Sequence, residues 1–99
     1  MLHVPLAQEE LGNRMLKWVN ASNDNPGYSV YYAIPTRDEN VLYVIRRKKK
    51  TTEFTPKFWR AFVRTARGEA LKVVYAAETQ GECKAYIQDL EDTVSGTDG

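Results

Sequence analysis

The run Val41-Leu42-Tyr43-Val44-Ile45 restricts the possible folds of this chain more than any other segment. In an extended conformation successive side chains point to opposite faces, so Val41, Tyr43 and Ile45 share one face while Leu42 and Val44 share the other. Both faces are apolar, which places the strand in the interior of a sheet. A partner lies just upstream. Tyr28 to Ile34 is rich in aromatic and β-branched residues, begins after the turn signal Pro26-Gly27, and is stopped by Pro35. The polar stretch from Pro35 to Asn40 then returns the chain as a hairpin into Val41 to Arg47.

The flanking segments carry helical spacing. Pro5 suits the first turn of a helix running to about Asn20, with Leu11, Met15, Trp18 and Val19 as its buried stripe. Thr55 can cap a second helix, Pro56 fits its first position, and Phe54 can pack on Trp59. Phe58, Trp59, Phe62, Val63 and Ala66 would be its inner stripe and Gly68 its end. Leu71 to Ala77 is strand-like. A last helix opens at Thr79 with Glu82 three residues on, burying Cys83, Tyr86, Ile87, Leu90 and Val94 and leaving Asp89, Glu91 and Asp92 in solvent. The expected architecture is therefore an α+β sandwich in the order α-β-β-α-β-α, with a three-stranded, mainly antiparallel sheet and packed helices. If Leu2 to Val4 adds a fourth strand, the order becomes that of a ferredoxin-like variant. A chain of 99 residues supports one core, so a single domain over 1–94 and a flexible tail over 95–99 are expected.

The residues that usually carry catalysis are scarce. His3 is the sole histidine and Cys83 the sole cysteine, so neither a histidine-assisted nucleophile nor a multi-histidine metal site can be assembled within one chain, and Cys83 falls on an apolar stripe. No glycine cluster forms a phosphate-cradling loop. Glu9 and Glu10 suit a helix start, and Asp38 and Glu39 a wet turn. No catalytic residue, metal or cofactor is expected, and the chain is read as a binding protein, not an enzyme. The absence of a secretory signal and of any disulfide pair points to a reducing cytoplasm, and the Asn20-Ala21-Ser22 sequon to a chance match.

The net charge of +1 conceals a strong segregation. Residues 1–45 hold three basic and five acidic residues, 46–67 hold nine basic residues against Glu53, and 68–99 hold two basic and seven acidic residues. Arg46, Arg47, Lys48, Lys49 and Lys50 run off the second strand. Lys57, Arg60, Arg64 and Arg67 would line the outer face of the second helix. These nine residues are the expected binding surface, either for the DNA or RNA backbone or a nucleoprotein complex, or, in a regulatory or inhibitory adaptor, for an acidic protein. Tyr28, Tyr31, Tyr32 and Tyr43 could stack on unpaired bases if exposed, but are expected mainly as packed sheet residues. The glycine-rich aromatic signature of sheet-based single-stranded RNA readers is missing from Val41 to Arg47.

Overall fold

The computed structural model describes residues 15–49 and 58–96. It is an antiparallel meander of five strands: β1 (Val19–Asn20), β2 (Tyr28–Ala33), β3 (Leu42–Lys48), β4 (Trp59–Arg64) and β5 (Lys72–Ala77). Each strand pairs with its neighbour in sequence, in the order β1-β2-β3-β4-β5. Among the described residues one α-helix, α1 (Gln80–Gly96), follows and packs across one face, and a 3-10 turn, Ser22–Asp24, lies between β1 and β2. The expected three-stranded sandwich of order α-β-β-α-β-α is thus corrected to a five-stranded sheet with a C-terminal helix.

The hairpin and its central strand form as expected. β2 pairs with β3 from Tyr28 opposite Lys48 to Ala33 opposite Tyr43, and β3 is the middle strand. Pro26 and Gly27 are the inner residues of a turn closed by the Tyr28 amide on the Asn25 carbonyl (3.1 Å), with Gly27 at φ 87°. That angle is the one a type II turn requires at its third position.

The two upstream helices are where the expectation fails. Val19 and Asn20 pair with Tyr32 and Tyr31, so the first helix cannot reach Asn20; most of its expected span, and Leu2 to Val4, lie outside the described residues. The second helix is replaced by β4. Trp59 to Arg64 satisfies two periods at once, because Trp59, Phe62 and Val63 share a helical stripe while Trp59, Ala61 and Val63 alternate with Arg60, Phe62 and Arg64. β3 decides between them: apolar on both faces and central, it needs a neighbour on its second edge, and β4 fills it from Leu42 opposite Arg64 to Arg46 opposite Arg60. Gly68 does take a positive φ, 89°, but within the β4–β5 turn, where the Glu69 amide donates to the Ala66 carbonyl at 3.2 Å. A helix C-terminus and a type II turn make the same demand on that residue.

The core lies between the sheet and α1. Tyr43, Ile45, Trp59, Ala61 and Ala77 on the sheet meet Cys83 and Ile87 on the helix. Thr79 caps α1 as expected, its hydroxyl accepting the Glu82 amide at 3.2 Å. The stripe is narrower than the spacing suggests: Cys83, Ile87 and Glu91 are buried, whereas Tyr86 and Val94 are exposed. Cys83 donates to the Trp59 carbonyl at 3.4 Å, and burial pushes its thiol pKa up, as befits a core residue. Helical backbone continues through Gly96, two residues into the expected tail.

Glu91, expected in solvent, is the buried acid that fastens α1 to the sheet. Arg37, from the β2–β3 turn, donates to it twice, Nε to Oε2 at 2.7 Å and Nη2 to Oε1 at 2.9 Å, and the Tyr43 hydroxyl donates to Oε1 at 2.7 Å. The bond to Glu91 holds Arg37 charged beyond its ordinary range. Burial, reinforced by the bond to Glu91, pushes Tyr43 up to about 12. Because the folded protein keeps this proton where the unfolded chain, titrating near 10, releases it, the stabilisation is complete below pH 10 and is lost as pH rises towards 12. Alkaline melts of Tyr43→Phe should therefore lack part of the fall in melting temperature that the parent shows between pH 10 and 12; equal falls would show that Tyr43 ionises like an exposed tyrosine.

Candidate functional site: the open face of the sheet

Strand alternation turns Tyr28, Val30 and Tyr32 of β2, Leu42, Val44, Arg46 and Lys48 of β3, and Arg60, Phe62 and Arg64 of β4 away from α1. Among the described residues no α-helix covers this face. Its centre is basic. Arg46 and Arg60 are direct cross-strand partners, Lys48 lies two positions beyond Arg46, and Arg64 stands opposite Leu42. From the Lys48 row to the Arg64 row is six residues, a line of cations about 20 Å long at ~3.3 Å per residue.

Like charges directly opposite on neighbouring strands repel. Two aromatic rings offset this at Arg46, whose guanidinium lies 5.0 Å from the centre of the Tyr28 ring and 4.7 Å from that of Phe62. Carboxylates do not: among the described residues the ion pair formed is Arg37–Glu91, on the helix side, and no acid pairs with Arg46, Arg60 or Arg64. The Nε of Arg64 is buried and donates no hydrogen bond among the described residues.

Beside the cations runs a groove of about 360 Å³, with Val30, Tyr32, Leu42, Val44 and Leu71 as its apolar lining and Arg46 on its border. Asn25 also lines it, and its amide nitrogen is engaged by the Ala21 carbonyl at 2.8 Å.

The nine basic residues singled out from the sequence do not act as one surface. Arg46, Lys48, Arg60 and Arg64 come together on the open face. Arg47 lies on the opposite face, 5.2 Å from the centre of the Trp59 ring, with its Nε buried and without a hydrogen-bond acceptor among the described residues. Lys49 follows β3 and its amide donates to the Gly27 carbonyl at 2.9 Å. Arg67 occupies the β4–β5 turn. Lys50 and Lys57 lie outside the described residues.

Sequence reasoning missed Phe62 as part of this surface, and it weighed Tyr32 for base stacking but preferred a packed sheet residue. A helical β4 puts Phe62 inside with Trp59, whereas strand alternation puts it outside between Arg60 and Arg64. The two-residue period of Trp59 to Arg64 was the available signal. The acidic residues of α1 are kept on the other side of the sheet, where Glu91 faces Arg37 and Asp92 accepts from Gln88 at 2.9 Å. Among the described residues no helix is long and apolar enough to cross a membrane. Comparison with protein-family models, with curated proteins and with solved structures finds no match to this chain.

Proposed function

We propose that this is a nucleic-acid-binding protein of the reducing cytoplasm that holds the phosphate backbone on the open face of its sheet through Lys48, Arg46, Arg60 and Arg64. The observation that carries this is the Arg46–Arg60 pair, two cations set against each other across β3 and β4 with no carboxylate between them among the described residues. A sheet selected for stability alone would place an acid at one of the two positions, since opposite charges there are worth up to about 1 kcal/mol. A bound polyanion supplies the missing negative charge. An acidic protein could answer the same cations, but the rings of Tyr28 and Phe62 beside Arg46 favour a ligand that has aromatic bases as well as charge.

The test is fluorescence anisotropy with labelled oligonucleotides at several salt concentrations. Four phosphate contacts give a log–log salt slope of about −3 to −4. Lys48→Glu with Arg60→Glu, both at exposed positions, should weaken binding about tenfold or more and roughly halve the slope. Unchanged affinity in the double variant, or binding that salt does not affect, would overturn the proposal.

A further inference from the structure

We infer that the groove beside the cations accepts an unpaired base, so that the ligand of the open face is single-stranded nucleic acid and not duplex. This rests on the proposal that the face binds a phosphate backbone, and concerns what lies next to that backbone. The groove, at about 360 Å³, falls near the lower end of the ~300–1,000 Å³ range of sites that hold small molecules. Its lining is aliphatic apart from Tyr32, Asn25 and Arg46. A largely apolar slot with one aromatic wall suits a flat heteroaromatic ring and, Arg46 at its border aside, offers little to a phosphate.

Arg46 joins the two halves of the site. It borders the groove and is also a member of the cation line, flanked by Tyr28 and Phe62. A nucleotide has the same connectivity, a flat ring tethered to an anion. A duplex keeps its bases stacked and paired, so only its backbone could meet this face, leaving the groove unused; a single strand can turn a base aside and fill it. The width of a five-stranded sheet agrees, since duplex is read by an element narrow enough to enter a groove of the double helix.

The experiment compares a labelled single strand of mixed sequence with the corresponding duplex, using the full chain and the variants Tyr32→Leu and Tyr32→Phe. The single strand should bind at least about tenfold more tightly than the duplex, as expected from stacking of one base. Tyr32→Leu, which keeps apolar bulk but removes the ring, should lower single-strand affinity by a similar factor and leave duplex affinity unchanged, and Tyr32→Phe should restore it. Equal affinity of parent protein for the two ligands, or equal single-strand affinity of Tyr32→Leu and the parent, would overturn the inference while leaving backbone binding intact. Loss of binding to neither ligand in the Lys48→Glu/Arg60→Glu variant would instead overturn the underlying proposal. The strand comparison on the parent protein needs no substitution, so it stands even if Tyr32→Leu folds poorly.

Discussion

Ala61→Glu should leave the chain largely unfolded, whereas Arg60→Glu one position earlier should leave its melting temperature unchanged or slightly raised. Ala61 is wholly buried in β4, opposite Ile45 on one side and Tyr75 on the other, with α1 above. A carboxylate there has neither room nor a partner. Burying an unpaired charge costs on the order of 5 kcal/mol, against about 5–15 kcal/mol for a whole domain. Arg60 is exposed, and an acid at that position would face Arg46 and turn a repulsive pair into an attractive one, worth a few tenths to about 1 kcal/mol. The contrast between adjacent residues is the signature of a strand. In an amphipathic helix over Thr55 to Arg67, Ala61 would border the basic face next to Arg60, and both substitutions would be tolerated. Thermal melts followed by circular dichroism decide the matter, and a native-like melt for Ala61→Glu would refute the assignment of β4. Arg60→Glu also separates stability from the proposed function, since it should preserve folding while weakening the proposed nucleic-acid binding.

The second large effect is expected at Glu91. Glu91→Ala removes the acceptor shared by Arg37 and the Tyr43 hydroxyl and leaves that hydroxyl buried without its bond. Arg37 keeps 30% of its side-chain surface in solvent and can rehydrate, so the loss belongs at the lower end of the range for broken buried pairs, about 3 kcal/mol. For a domain of this size that is a fall in melting temperature of about 10–20 °C. Glu91→Leu combined with Tyr43→Phe removes the charge and the hydroxyl together and should recover most of the loss, because no buried polar group is then stranded on the sheet. If Glu91→Ala melts like the parent, the cluster does not fasten the helix.

Local order explains why some of this fold could be read from the chain. The Pro26-Gly27 turn, the hairpin of β2 and β3, the interior position of β3, β5 and the Thr79 cap of α1 all depend on residues close in sequence, whose propensities and periods agree with one another. β4 was not legible in the same way. Trp59 to Arg64 fits both a helix and a strand, and the choice rests on the free edge of β3, a neighbour reached only through the intervening chain. The period also sets which residues share a surface. At 100° per residue Arg60 and Arg64 align with Lys57 and Arg67; at 180° they align with Phe62 and, across the ladder, with Arg46 and Lys48.

The sequence alone therefore determined that a basic block follows an interior strand, that seven of the 13 acids follow that block in residues 68–99, and that the groups most enzymes rely on are few. Tertiary structure decided what those charges face. Pairing β4 with β3 puts Arg46 and Arg60 side by side on one face, and packing α1 on the other removes Glu91 to Arg37 and Tyr43. Charge content is a property of composition, but whether opposite charges cancel depends on their separation across the sheet, and that distance exists only once the strands have paired.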